Sequence, residues 1–377
     1  MSQGMDYRSA GVNIDLGDDA SRVLYEAAKY TWQNRECRLG HVVELFDDFS
    51  GLRAVHVGGL PSDAYMNMGF DGIGTKTEIA ERMGRHDTAA YDLFAMVCDD
   101  AVRYGAEPVL IGSVLDVRTL EENDKSYIGL VKELAKGYIG AAGDANVAIV
   151  NGEIAELGAR VRGYGPFNYN WGAGLVWFGR KGRLITGKAI RPGDYLVALR
   201  ENGFRSNGLS LVRKALGSAH GNEWHEETYD GKKLGELVLH PSKIYSRAVS
   251  EMFGGFDGEP KATLHGVAHI TGGGVPGKLG RVLKPTGYGA EITEPLEPAD
   301  VMLYVQDRGN VTDAEAYRTW NMGQGMIIVT PEPDKAMAIA GARGIGSKII
   351  GQISTKPGIR IHSKGVNAAK NNVLEFA

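Results

Sequence analysis

Residues 70–76, Phe-Asp-Gly-Ile-Gly-Thr-Lys, put a carboxylate, two glycines, a hydroxyl and an amine within one turn, straight after the alternating run Tyr65-Met66-Asn67-Met68. At a strand end this set suits a phosphate. Gly72 and Gly74 let the backbone come close to an anion. Backbone N–H groups, the Thr75 hydroxyl and Lys76 answer its charge, and Asp71 can hold a bridging Mg²⁺. The same composition also makes a tight turn that closes a strand. It is not a Walker loop, because Gly-x4-Gly-Lys-Ser/Thr is absent.

Three other segments carry chemistry of the same kind. The pattern from Asp87 to Ala106 predicts a helix, with Asp87 as N-cap and Gly105 and Pro108 as the stop. Leu93, Val97, Ala101 and Tyr104 form its apolar stripe, and Asp100, beside Asp99, falls on that stripe. A carboxylate there needs a cation or hydrogen bonds, or must reach solvent at the edge of the face. Val147–Val150 reads as a short strand that ends at Asn151-Gly152-Glu153, where α/β proteins place ligand chemistry; an ordinary loop acid fits as well. His265–Ile270 reads as a strand that opens into Thr271-Gly272-Gly273-Gly274 and then a helical pattern through Leu279 and Val282. Strand, glycine run and helix N-terminus make an anion-binding arrangement, or else a flexible connector.

These segments must be positioned by a larger frame, and 377 residues predict two domains. We place them at 1–180 and 181–377, with Gly179–Gly182 and Arg191–Asp194 bracketing the junction. The first part alternates strands (65–70, 109–117, 145–150, 174–178) with helices (20–35, 88–104, 126–142). The second has strands at 195–199, 325–329, 348–353 and 358–362 and helices near 209–216, 241–253 and 333–343. Lys364–Ala377 is polar and is expected to fray. This ordering suits the α+β class, as two mixed α/β domains, better than one doubly wound sheet.

A hydrophobic content of 43% is ample for a sizeable core, and a net charge of −4 gives no general attraction to nucleic acid. No apolar run is long enough to cross a membrane, and Met1–Asp15 lacks the apolar core of a signal peptide. Two cysteines supply neither a disulfide framework nor zinc spacing, which fits a reducing cytoplasm.

Taken together in this order and spacing, the segments resemble AIR synthase, the phosphoribosylformylglycinamidine cyclo-ligase family, from Tyr7 to about Gln352. Tyr7–Asp15 looks like the family's opening segment, and residues 70–76 match its Asp-Gly-Val-Gly-Thr-Lys block. Arg85–Thr88, Tyr91–Met96, Asp100 and Gly105–Pro108 follow the next helix in register. Asn151–Glu156 stands where the family has Gly-Gly-Glu-Thr-Ala-Glu, and Ser206–Arg213, Ala268–Gly274 and Tyr317–Met326 continue the match. There are departures. Gly40–Asp48 carries Glu44, Asp47 and Asp48 where the family has a glycine-rich, phosphate-covering loop. Asn151 and Ile154 replace a glycine and a threonine, Arg205 stands where a histidine often precedes Ser-Asn-Gly, and Leu157–Trp171 differs from the usual continuation.

The resemblance implies two α/β domains, a homodimer through the N-terminal sheets, and ATP with Mg²⁺ as cofactors. It implies that ATP phosphorylates the formyl oxygen of formylglycinamidine ribonucleotide and that a nitrogen then closes on that carbon to give aminoimidazole ribonucleotide. Asp71, Asp100 and Glu153 would be the metal or triphosphate acids; Gly72, Gly74, Thr75 and Lys76 would hold the nucleotide. Ser206, Asn207 and Thr271, Gly272, Gly273 and Gly274 would contact the substrate, with Lys76, Asp100 and His269 as catalytic candidates. His269 fits a satisfied strand histidine equally well. ATP-using relatives of the same superfamily, namely selenophosphate synthetase, thiamine-monophosphate kinase and a hydrogenase-maturation dehydratase, and a non-catalytic nucleotide-binding paralogue, are the alternatives. Selenophosphate synthetase normally needs an N-terminal cysteine, and none precedes Cys37.

Overall fold

A computed structural model describes residues 13–45, 52–367 and 372–377. Residues 7–12 of the family-like opening, and Asp47 and Asp48, lie outside the described residues. The chain divides into two compact units, and they are not contiguous in sequence. The first takes in residues up to 62, 67–97 and 108–177; the second takes in 63–66, 98–107 and 178–377.

The first unit is built on a four-stranded sheet, in the order Ala64–Gly72, Tyr169–Arg180, Glu107–Val117, Ala148–Glu156. The last two strands run parallel, Leu110 opposite Ala148 through Val117 opposite Glu156, and the helix Ile128–Ala145 lies between them in the chain. That helix buries Val131, Leu134, Tyr138 and Ala142 and stops at Asn146, whose φ of 60° is the left-handed cap. The strand Ala148–Glu156 is longer than its apolar start suggests. Glu153 therefore sits inside a strand, paired with Val114, and not just past a strand end. The parallel ladder continues through polar residues because Gly112–Val117 offers it backbone partners.

The second unit contains a seven-stranded mixed sheet: Gly266–His269, Gln324–Thr330, Tyr195–Arg200, Ser347–Ser354, Gly289–Ile292, Ile359–His362 and Val373–Phe376, in that order. Neighbours are antiparallel except Gly289–Ile292 with Ile359–His362. Val197, Leu199, Val267, Met326 and Ile328 from the sheet pack with Tyr245, Val249, Met252, Ala336 and Ala340 in one core. The C-terminus corrects an expectation. Val373–Phe376 is a strand, paired with Ile359–His362, and Phe376 is buried. Four residues after a polar stretch are too few to read as a strand until a free sheet edge is there to pair with them.

The helix Ala89–Val102 also differs in phase from its expected stripe. Asp92 and Asp99, seven residues apart, are both fully buried, while Asp100 is half-buried. Leu93, Phe94, Ala95, Val97 and Cys98 are buried too, so the helix is apolar on nearly every side. Such a helix carries no clear periodic signal of which carboxylate points inward.

Candidate functional site

In the first unit the strand Ala64–Gly72 delivers Asp71 to an exposed position, and the Gly72 N–H donates to its Oδ1 at 2.8 Å. Gly74, with φ of 64°, turns the chain into the helix Lys76–Met83, and Gly74 and Thr75 are exposed at its start. Asp71, Gly72, Asn151 and Glu153 line one open groove on the sheet, together with Phe70, Val114 and Trp171. The structure thus brings Asp71 and Glu153 to a common face. Both are exposed carboxylates, hard oxygen donors of the kind Mg²⁺ takes. Among the described residues no three His, Cys, Asp or Glu side chains gather as a ready-made metal cage.

Lys76 departs from its expected place as a phosphate cation. Its side chain is fully buried, and Nζ lies 2.7 Å from Oδ1 of Asp92, which is equally buried. A buried ammonium demands a counter-charge, and Asp92 on the neighbouring helix supplies it. The lysine turns inward and anchors the helix that follows the Asp71–Thr75 turn.

The segment 157–171 is held by Glu81. Its Oε2 accepts from the Tyr164 N–H at 2.8 Å and its Oε1 from the Tyr169 N–H at 3.2 Å. Arg82 stacks over the Tyr164 ring at 4.3 Å. Burial pushes the Glu81 carboxyl up to about 7, against the backbone donors that pull it down. Tyr169 belongs to the strand Tyr169–Arg180, so the end of this expected loop is regular structure.

In the second unit Asp99, Asp100, Glu201, Arg205 and His269 form one polar cluster. Nη2 of Arg205 donates to Asp99 Oδ2 at 3.0 Å, and its Nη1 to Glu201 Oε2 and the Lys243 carbonyl, each at 3.0 Å. The Tyr245 N–H donates to the other Asp99 oxygen at 2.9 Å. Burial opposes the Arg205 charge, but Glu201 and Asp99 outweigh it and push its pKa up. His269, at the end of the strand Gly266–His269, lies with Nε2 2.9 Å from Arg205 Nη2 and Nδ1 3.0 Å from Asp100 Oδ1. Burial brings the imidazole down to about 4. Asp100, also 3.3 Å from Arg103, is held below the usual carboxylate range: burial works against it, and the His269 hydrogen bond and Arg103 prevail.

After this strand Thr271 is buried, Gly272 and Gly273 are exposed, and the helix Gly274–Leu283 begins. Two glycines here are required by their surroundings. Gly273 has φ of 98°, and a Cβ on Gly274, φ of 58°, would stand 2.0 Å from the Tyr317 carbonyl. Asn207 faces Gly272, its Nδ2 3.5 Å from where a Cβ would be. Ser206 Oγ and Asn207 Oδ1 are buried with no hydrogen-bond partner among the described residues. A glycine run at a helix N-terminus, beside two polar side chains without partners, has the chemistry of an anion and hydroxyl receptor.

Arg205 and Asp99 were each visible in the sequence, one as a departure from a histidine and the other as a neighbour of Asp100. That they pair with each other, across 106 positions, was not.

Comparison with known proteins gives a consistent outcome. Residues 53–173 match the model of the AIR synthase related protein N-terminal domain, and residues 191–364 match that of its C-terminal domain. The chain is 32% identical over 361 residues to a phosphoribosylformylglycinamidine cyclo-ligase of Thermococcus kodakarensis, covering 96% of this chain and 98% of the relative. It is 34% identical over 356 residues to the protein of that name from Carboxydothermus hydrogenoformans, covering 92% and 96%. Among solved structures, thiamine-monophosphate kinase from Stenotrophomonas maltophilia aligns with a TM-score of 0.56 at 11% identity, covering 92% of this chain and 97% of that one. Hydrogenase maturation protein HypE in complex with ATP aligns with a TM-score of 0.56 at 14% identity, covering 88% of each. These two share the fold. No described helix is long and apolar enough to cross a membrane.

Proposed function

The chain belongs to the AIR synthase related family, and on that premise we propose that it is an ATP-dependent phosphoribosylformylglycinamidine cyclo-ligase of purine biosynthesis. The reaction closes the imidazole ring of formylglycinamidine ribonucleotide to give aminoimidazole ribonucleotide. The observation that carries this reading is full-length similarity, at 32–34% identity, to relatives that all bear that name.

ATP supplies the phosphoryl group that makes the formyl oxygen a leaving group, with Mg²⁺ screening the phosphates. The protein's share of such chemistry is positioning and charge stabilisation. In the first unit Asp71 and Glu153 would be the acids that hold Mg²⁺, and the Gly72–Thr75 backbone would offer its N–H groups to the nucleotide phosphates. Mg²⁺ held largely through substrate phosphates needs only one or two carboxylates, so the lack of a preformed cage is compatible with it. Lys76 is assigned a supporting role, fixing the helix behind that turn. In the second unit Thr271–Gly274, Ser206 and Asn207 receive the ribonucleotide phosphate and sugar, and Asp100 is the acid that meets ligand.

Exposed Met68, Phe70 and Val114 lie on the sheet face that also carries Asp71 and Glu153, and they support a homodimer through that sheet in which the nucleotide groove stays open at the seam. Two free thiols, Cys37 exposed and Cys98 buried, fit the cytoplasm. The function is tested by ADP release with formylglycinamidine ribonucleotide, thiamine monophosphate or selenide as acceptor. Aminoimidazole ribonucleotide formed in step with ADP is expected from the first alone. ADP release from another acceptor, with none from the ribonucleotide, would overturn the assignment.

A further inference from the structure

Arginine can only donate hydrogen bonds, and this constrains its neighbour. Each terminal nitrogen of Arg205 serves at least two acceptors: Nη1 serves Glu201 and the Lys243 carbonyl, and Nη2 serves Asp99 and His269 Nε2. An imidazole nitrogen that faces such a donor at 2.9 Å must offer its lone pair. Nε2 of His269 is therefore unprotonated, and the ring proton sits on Nδ1, 3.0 Å from Asp100 Oδ1. Among the described residues the carboxylate that could compete for an Nε2 proton is Asp99, which is 3.9 Å away and already accepts from Arg205 and Tyr245. With the His269 side chain 1% exposed, both ring nitrogens are committed inside the protein.

We propose that Arg205 is a positioning residue that holds His269 as the Nδ1–H tautomer, so that the ring donates to Asp100 and fixes the orientation of that carboxylate. His269 then acts through Asp100 and is not itself the acid or base of the reaction. A histidine at position 205 could donate or accept and would leave the tautomer open. Arginine removes that freedom. The consequence for catalysis rests on the function proposed above, through Asp100; the tautomer does not.

Two measurements test this on the full-length chain. First, 15N-histidine NMR of the ligand-free protein, with the His269 signals identified by their loss in His269→Asn, is expected to show a protonated Nδ1 and a bare Nε2. A protonated Nε2 at neutral pH overturns the proposal. Arg205→Lys keeps a cation beside Asp99 and Glu201, but one nitrogen cannot serve all four acceptors, so mixed tautomer shifts are expected. A pure Nδ1–H signal in that folded variant would show that Arg205 is not what sets it, and if the variant does not fold, the parent spectrum and the amide pair below decide. Second, His269→Asn, whose amide can donate from the Nδ1 position, is expected to keep ~10–100-fold more turnover than His269→Gln, whose amide reaches the Nε2 side. Equal loss in both would mark His269 as an acid–base group and sink the idea. A parent chain with the expected tautomer but no turnover on formylglycinamidine ribonucleotide would count against the function and not against the positioning.

Discussion

Lys76 and Asp92, sixteen residues apart, meet at 2.7 Å with neither side chain exposed. The residue whose type most suggested a phosphate contact is spent on holding two helices of the first unit together. Removing one partner takes the nearest counter-charge from the other, which stays buried. Lys76→Ala is expected to lower unfolding stability by ~3–5 kcal/mol, and the double variant Lys76→Met/Asp92→Leu to recover much of it. Urea denaturation checks this. A Lys76→Ala protein as stable as the parent but inactive would return the lysine to the nucleotide.

Asp71 and Glu153 are exposed, so a substitution there costs the fold little. Asp71→Asn and Glu153→Gln are therefore expected to change stability by less than ~0.5 kcal/mol while weakening Mg²⁺-ATP binding and turnover. Calorimetric titration with Mg²⁺-ATP, beside the turnover assay, reads both. Parent-like binding in the two variants together would remove these acids from the nucleotide site.

The glycine run offers a contrast between neighbours. Gly274→Ala forces a side chain to φ of 58° and against the Tyr317 carbonyl, so it is expected to destabilise the chain by at least ~1–3 kcal/mol. Gly272 is exposed and has ordinary room, its nearest neighbour being Asn207 at 3.5 Å. Gly272→Ala is expected to melt like the parent yet raise KM for the ribonucleotide, since a methyl group would stand where the anion approaches the backbone. An unchanged KM would argue that no anion sits there.

Glu81 makes stability depend on pH with a defined sign. Its folded-state pKa, about 7, lies above the value of 4.5 for an ordinary glutamate. Between those values the folded chain keeps a proton that the unfolded chain has lost, so stability falls as pH rises from about 4.5 to about 7 and levels off above. Glu81→Gln is expected to flatten the slope of stability against pH in that window, by less than the ~1.4 kcal/mol per pH unit that one proton allows. Identical slopes in urea denaturation of parent and variant would refute the assignment.

Much of the fold was legible because it rests on local patterns. Strands such as Glu107–Val117 and Gln324–Thr330, and helices such as Ile128–Ala145 and Pro333–Ala342, announce themselves by apolar runs, periodicity and stop residues. The Asp71–Thr75 turn and the Thr271–Gly274 run were visible for the same reason, since glycine marks backbone that other residues cannot follow. Which charged side chains face inward was not legible. Asp99 against Asp100 is a difference of one residue on a helix buried nearly all round, and the choice is made by Arg205, on a distant segment. Lys76 goes inward because Asp92 waits there, and Val373–Phe376 is a strand because Ile359–His362 offers it an edge. The elements and the glycine-built turns follow from local pattern, because their causes lie within a few residues. Tertiary structure alone decided the pairing of buried charges and of sheet edges, because each partner's energy depends on a group far away in the chain.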